Sequence, residues 1–291
     1  MIPPQFDYVR PSTLDDALRI LTEREGEAKL LAGGYSLIPL LKLRLAQPGL
    51  LIDLRDVGGL DGIRETDDWL VIGARTTHAA IEAVSSKGDR FPLLAEVAAG
   101  IGDPQVRNWG TIGGSIAHAD PASDWPAALI ALRADIACRS AGGERVINAR
   151  EFFLDTFQTA LEPTEVLIEI RIPRRPRRAG AAYEKIERKA TDFSTAGSAV
   201  MVQLADDGSI SKAGVGVTGV AEMPFAATDA EAALIGQRPS EDTFRVAGAA
   251  AGAQSRPVSD VRGPIKYKRA MAAEMTVRAL RRATSRAMAY G

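Results

Sequence analysis

Apolar positions in this chain recur every three or four residues in some stretches and form short unbroken runs in others, and that alternation divides it into elements. Ser12 or Thr13, followed by Asp15 or Asp16, is an acidic variant of the helix-capping pattern, and Leu14, Ala17, Leu18 and Leu21 then share one helical face. Lys29 to Ala32 and Leu50 to Leu54 are apolar runs of strand length. They flank Ser36 to Leu45, whose leucines suit a helix, so a compact β-α-β unit is predicted. Trp69 to Ala74, Thr77 to Ser85, Phe91 to Ala99 and Asp124 to Arg133 continue a mixture of strand and helices. Asp135 to Ser140, Glu144 to Ala149 and Glu165 to Ile172 read as strands.

The pattern breaks at Pro173-Arg174-Arg175-Pro176-Arg177-Arg178-Ala179-Gly180, where prolines and arginines interrupt any period, and the domain boundary is placed there. Beyond it, Ala181 to Lys189, Ala196 to Ala205 and Ser209 to Val220 read as three consecutive strands, the second turn being Asp206-Asp207-Gly208. Helices are predicted at about Thr228 to Ile235, Glu241 to Gly252 and Pro264 to Ala287. The expected division is 1–175, with parts at about 1–57 and 58–175, followed by 179–288, an α+β domain of antiparallel strands and covering helices.

Composition narrows the function classes. With 36 basic against 37 acidic residues, a net charge of -1 offers no global field to nucleic acid or an anionic membrane. No eighteen-residue apolar stretch occurs, and Met1-Ile2-Pro3-Pro4-Gln5-Phe6-Asp7 has neither the basic nor the apolar part of a signal peptide, so a cytoplasmic location is expected. Cys138, the only cysteine, reads as a strand residue packed like a small hydrophobe. One cysteine cannot build a disulfide, a thiolate zinc site or an iron-sulfur cluster. His78 and His118 are too few and too far apart in sequence to suggest a metal pair.

Two glycine-centred segments carry the candidate chemistry. They are Leu30-Leu31-Ala32-Gly33-Gly34-Tyr35-Ser36-Leu37 and Thr111-Ile112-Gly113-Gly114-Ser115-Ile116, the second continuing through His118, Asp120-Pro121 and Asp124. Paired glycines beside hydroxyl residues let the backbone turn with φ > 0 and direct successive N–H groups into one anion-binding concavity, so the two read as halves of one pyrophosphate cradle. Gly214-Val215-Gly216-Val217-Thr218-Gly219 matches the dinucleotide spacing G-x-G-x-x-G, but it is rejected. Its alternating valines keep it in a strand, and no helix begins until about Thr228.

With these motifs, followed by Pro39 and Arg44 in the first, the chain resembles the FAD-binding medium subunit of the molybdenum hydroxylases (xanthine dehydrogenase family), closest to the carbon monoxide dehydrogenase medium subunit group. Phe6-Asp7-Tyr8, Glu165 to Ile168, Tyr183-Glu184-Lys185 and Asp192-Phe193 extend the likeness over essentially the whole length. The resemblance implies an α+β fold: a two-part FAD-binding domain of the vanillyl-alcohol oxidase and p-cresol methylhydroxylase type, then a separate C-terminal α+β domain. It implies that Leu30 to Leu37 and Thr111 to Ser115 enclose the FAD diphosphate, that Asp124 binds the ribose or adenine side, and that Ile101, Leu167 and Lys185 line the flavin. From the residues alone, Asp124 is equally a helix N-cap before Trp125-Pro126, and Ile101 and Leu167 are ordinary core residues. Asp192-Phe193 would approach the isoalloxazine, Tyr35 fills a variable slot, and His118 reads as a structural hydrogen-bonding residue.

No residue is assigned a catalytic role, since the cofactor would carry the chemistry. The resemblance implies an electron-transfer subunit without metal of its own, working beside a large molybdenum-pterin subunit and a small subunit with [2Fe-2S] clusters, as a dimer of heterotrimers. Cys138 alone argues against the extra cluster of the 4-hydroxybenzoyl-CoA reductase type. Two readings compete: a non-catalytic nucleotide- or RNA-binding protein using Arg171 to Arg178, and a free-standing flavin oxidase, for which the C-terminal domain is small. The substrate and the electron acceptor are not legible.

Overall fold

The computed structural model describes residues 2–85 and 91–290. The chain opens with β1 (Asp7–Val9), α1 (Leu14–Glu23), β2 (Ala28–Leu31), α2 (Leu37–Lys42) and β3 (Leu50–Asp53). Thr13 caps α1, its hydroxyl accepting the Asp16 N–H at 3.1 Å, and the helix buries Ala17, Leu18 and Leu21 as its period requires. The expected β-α-β unit is present, with β2 parallel to β3. β1 adds a parallel strand on the other side of β3, and the sequence reading lacked it because three largely exposed residues carry no period.

A second, antiparallel layer follows, built from β4 (Ile63–Glu65), β5 (Trp69–Gly73), α3 (His78–Ser85), α4 (Pro92–Ala99), α5 (Pro104–Trp109), α6 (Ile112–His118), α7 (Asp124–Ala131), β6 (Asp135–Ser140), β7 (Gly143–Asn148), α8 (Ala149–Phe152), β8 (Phe153–Asp155), β9 (Gln158–Thr159) and β10 (Val166–Pro173). Its five-stranded sheet runs β4-β5-β10-β6-β7. All eight residues of α7 are buried, the signature of a helix enclosed on every side. Cys138 lies in β6 within this core, its thiol pushed up to about 12 by burial and then by Glu165. Such a thiol is inert packing.

The last third contains β11 (Ala179–Glu187), β12 (Ser194–Leu204), β13 (Ile210–Thr218), β14 (Phe225–Ala226), α9 (Thr228–Leu234), α10 (Glu241–Gln254) and α11 (Ile265–Ala289). The strands form an antiparallel sheet in the order β11-β12-β13-β14. Gly214 and Gly216 lie in β13, as expected of the rejected motif, and their role is close packing. A Cβ on Gly216 would sit 2.0 Å from the Ala127 carbonyl oxygen, and one on Gly214 would sit 2.0 Å from that of Ala131. The missing side chains let β13 lie directly on α7.

Four of the five arginines between residues 171 and 178 are engaged within the protein, and Arg177 is exposed. Arg171 pairs with Glu169 and Glu144, each at 2.7 Å. Arg174 donates to the Asp67 carbonyl, and Arg175 donates to that of Ala179 while stacking 3.9 Å over the Tyr290 ring. Arg178 reaches the Asp206 carbonyl. Glu96 of α4 receives Arg282 and Arg286 of α11, an ionic lock between the two parts of the chain.

Candidate functional site

The loop after β2 and the start of α6 meet across one cleft of about 1090 Å3. Gly33 explains the meeting. A Cβ there would lie 2.1 Å from the Trp109 carbonyl oxygen, so only glycine lets the first loop seat on the Trp109-Gly110 backbone that leads into the second segment. Gly34 alone of the four paired glycines has positive φ, at 83°. The expectation of two positive-φ turns is corrected here. Gly113 and Gly114 form the first turn of α6, capped by Thr111, whose hydroxyl accepts the Gly114 N–H at 3.1 Å. Gly113 is required for approach, because a Cβ on it would sit 2.6 Å from the Ala74 carbonyl oxygen.

Donor accounting separates the two segments further. The Gly113 N–H goes to Ala74 O at 2.8 Å, Ile112 N–H to Thr76 O, and Ser115 N–H to Thr111 O, so the second segment spends its amides on the protein. In the first segment, the N–H groups of Gly33, Gly34, Tyr35 and Ser36 meet no acceptor among the described residues. Four adjacent, unspent donors around a positive-φ glycine form a concavity for an anion. The Ser36 hydroxyl makes no capping bond, and the Thr111 hydroxyl retains its own proton, so both can donate. Ser115 is engaged with Ser123 at 2.9 Å.

Leu30, Leu31, Ala32, Gly33, Gly34, Tyr35, Ser36, Leu37, Thr111, Gly113, Gly114 and Ser115 line this cleft together with Ile101, Leu167 and Asp124. Two expected residues do not. Ile112 is fully buried, because its side chain faces the core below α6 rather than the cleft. Lys185 stands behind the wall: its ammonium donates to Gly100 O at 2.7 Å, Asp124 Oδ2 at 3.1 Å and Asp192 O at 3.2 Å.

Asp124 is the first residue inside α7, with Ser123 at the N-cap position, so the capping alternative is also corrected. Its Oδ1 accepts from the Tyr183 hydroxyl at 2.5 Å and the Ser194 hydroxyl at 2.6 Å, while Oδ2 accepts from Lys185. Burial, with the Asp124 charge, pushes the Tyr183 phenol well above its ordinary range, so it stays a neutral donor. Oδ2 is the one carboxylate oxygen with capacity left for a ligand hydroxyl. Asp192 and Phe193 also line the cleft. The Asp192 carboxyl is held below its usual range by the Phe193 N–H at 2.8 Å and by Arg262 and Arg188.

His78 was missed as a site residue. It lines the cleft while remaining buried, and Trp125 Nε1–H donates to its Nδ1 at 3.0 Å, which assigns the proton to Nε2. Burial first, and the Arg107 charge second, lower its pKa to about 4. A lone histidine near the start of a helix carried no sequence signal of this role. His118 lines the cleft as well, but it packs against the Phe157 ring, centroids 5.0 Å apart, instead of the hydrogen bond expected of it.

Residues 4–175 match the family described as the FAD binding domain in molybdopterin dehydrogenase, and residues 181–283 match the CO dehydrogenase flavoprotein C-terminal domain. The chain is 42% identical to the carbon monoxide dehydrogenase medium chain of Afipia carboxidovorans over 99% of both chains. It is 38% identical to the 6-hydroxypseudooxynicotine dehydrogenase complex subunit alpha of Paenarthrobacter nicotinovorans, over 99% of this chain and 97% of that one. The structure superposes on that of the carbon monoxide dehydrogenase from Hydrogenophaga pseudoflava with a TM-score of 0.95 and 45% identity, covering 98% of this chain and 99% of the other. A two-part cleft built on paired glycines and full-length similarity agree, and the chain belongs to the FAD-binding family of the molybdopterin dehydrogenases.

Proposed function

We propose that this chain is the FAD-carrying electron-transfer subunit of a molybdenum hydroxylase. The observation that carries the reading is the set of four unspent amide donors at Gly33 to Ser36, facing the second glycine segment across a cleft of about 1090 Å3. Pockets for drug-sized ligands span about 300–1,000 Å3, so this one has room for a dinucleotide. The diphosphate would take the N–H groups of Gly33 to Ser36 and the hydroxyls of Ser36 and Thr111, with Gly113 and Gly114 keeping the opposite wall low. Asp124 Oδ2 would accept a hydroxyl proton from the cofactor, and Ile101, Leu167 and Phe193 would supply apolar walls. When bound, FAD supplies two-electron and one-electron redox chemistry. The residues of the chain bind it, orient it and hold its surroundings at fixed charge.

The partners proposed are a large molybdenum-pterin subunit and a small [2Fe-2S] subunit, assembled as a dimer of heterotrimers in the cytoplasm, with domains meeting at about residues 175 to 179. None of the described helices is long and apolar enough to cross a membrane. The two relatives above are named for substrates as different as carbon monoxide and a nicotine derivative, which is consistent with substrate selection on another polypeptide. The test is the identity of the cofactor: heat release from natively purified protein should give FAD. Release of FMN, or of no flavin from protein expressed with its partner subunits, overturns the reading.

A further inference from the structure

A second cavity, of about 600 Å3, opens away from the flavin cleft, where β12 and β13 extend past the end of α7. That helix stops in a Schellman cap: the Arg133 N–H bonds to Ile130 O at 3.2 Å and the Ala134 N–H to Leu129 O at 3.0 Å. The turning residue of such a cap is left-handed and is usually glycine. Here it is arginine, with φ at 53°. On the strand above, a Cβ on Gly214 would sit 2.0 Å from the Ala131 carbonyl oxygen, and Lys212, two residues earlier on the same face of β13, reaches past the helix end. Arg133 and Lys212 thus meet in the cavity lining. Glu231 is the only acidic residue of that lining among the described residues, and it is buried and engaged. Its Oε1 accepts from Arg150 and from the Val215 N–H at 2.8 Å, and its Oε2 accepts from Arg150 at 3.1 Å. Arg133 only approaches it, with Nη2 at 3.5 Å from Oε2, and Lys212 has no acidic partner among the described residues.

We propose that this cavity binds an organic phosphomonoester, with the phosphate between Arg133 and Lys212 and the carbon body against Met201 and Ile235. Arg150 offsets Glu231, which leaves the charges of Arg133 and Lys212 for a phosphate group that carries about -1.5 to -2 at pH 7. The planar fork of the arginine matches two phosphate oxygens, and the lysine adds a point charge. Thr228 accepts from Gln254 through its hydroxyl oxygen and keeps its own proton to donate. A ligand for the guanidinium also accounts for an arginine at a left-handed position that glycine would occupy without strain. The site is separate from the flavin cleft, and the inference is independent of the FAD reading.

The experiment titrates phenyl phosphate and inorganic phosphate into the full-length chain, with and without added FAD, and follows binding by calorimetry and phosphorus NMR. Phenyl phosphate should bind more tightly than inorganic phosphate, and FAD should leave its affinity unchanged. Arg133→Gly and Lys212→Met should each weaken phenyl phosphate by at least about tenfold, whereas Arg281→Ala, which breaks an exposed pair with Glu241, should not. Arg133→Gly should also keep or raise the thermal midpoint, because glycine fits the left-handed cap. A lowered midpoint with unchanged phosphate affinity makes Arg133 a structural clamp on Glu231 and overturns the proposal. So does inorganic phosphate binding as tightly as phenyl phosphate, affinity that survives both substitutions, or no binding of either compound. Loss of phenyl phosphate binding on adding FAD would place the phosphate on the glycine loop and overturn it as well. Lys212→Met, at an exposed and unpaired residue, decides the matter where Arg133→Gly folds poorly, and both variants decide it in a chain that holds no FAD.

Discussion

Gly33 and Gly114 occupy matching places in the two motifs, yet their surroundings differ enough to predict different outcomes. Alanine at Gly33 drives a Cβ to 2.1 Å from a backbone carbonyl that cannot turn aside, whereas at Gly114 the nearest atom is the Thr111 hydroxyl at 2.8 Å, followed by Ala32 Cβ at 4.0 Å. Gly33→Ala should therefore cost about 1–3 kcal/mol of stability and abolish FAD retention, and Gly114→Ala should bind FAD more weakly while remaining folded; equilibrium unfolding and flavin titration check both. The motif spacing showed that these glycines matter, but not which is a turn, since Gly34 alone has positive φ and Gly113 answers to the backbone of Ala74. His78 supplies a pH signature. Its native pKa of about 4 lies below the unfolded value near 6.5, so between these the unfolded chain binds a proton that the native ring refuses. Stability then falls as pH drops from 6.5 to 4, by about 3 kcal/mol from this group. His78→Asn, which keeps an acceptor for Trp125 and removes the titration, should flatten that part of the urea-midpoint profile; an unchanged slope would assign the acid sensitivity elsewhere.

At the scale of elements, the sequence was informative wherever an amphipathic period ran for more than two turns or an apolar strand had clear turn signals at its ends. α1 starts at the predicted cap, and β5, β6, β10 and the three long strands after the arginine junction fall within a few residues of their predicted limits. The elements that escaped were short or glycine-bearing. α6 hides behind two glycines that cost about 1 kcal/mol each in a helix, although Thr111 at its cap and Ile112 with Ile116 buried one turn apart are a helical signal in retrospect. Tertiary packing of Gly113 against Ala74 outweighs that cost. β13 shows the converse, where glycines matching a dinucleotide fingerprint serve strand-to-helix contact instead. Gly216→Val would push β13 off Ala127 of α7 and with it disturb Asp124 at the head of the same helix. The expected result is loss of several kcal/mol of stability, with weaker FAD binding as a consequence of the shifted helix. A suppressor is testable: if the effect runs through α7, FAD affinity should recover in step with stability when the protein is assayed in a stabilising osmolyte, and recovery of stability without affinity would place Gly216 in the cleft itself.

The whole molecule is organised so that its two halves share the site. α7 carries Asp124 from the first half, and β11 and β12 carry Tyr183, Lys185 and Ser194 from the second. The Glu96 ion cluster and the tail at Pro121 and Ser123, whose carbonyls accept the Thr218 hydroxyl, close the same seam. The titratable groups gathered at this seam are each engaged by a neighbour. Asp124 is saturated on one oxygen and paired with Lys185 on the other, Glu165 is bound to Arg145, Asp192 is held ionised against Arg262, and His78 is a neutral ring already accepting from Trp125. Proton abstraction from a substrate C–H bond needs a group free to take up a proton near the operating pH, and each of these four is already hydrogen-bonded or ion-paired. Nor can Cys138, buried and with its thiol pushed up to about 12, ligate a cluster that would relay electrons from elsewhere. The pure chain loaded with FAD should therefore be reduced by a chemical reductant and reoxidised by a dye, yet show no dye reduction with carbon monoxide, aldehydes or N-heterocycles. Turnover should begin only when a molybdenum subunit and a cysteine-rich subunit are added. Substrate-dependent dye reduction by the metal-free chain alone would make it a free-standing oxidase, with His118, which lines the cleft beside the Phe157 ring, as the first base to test.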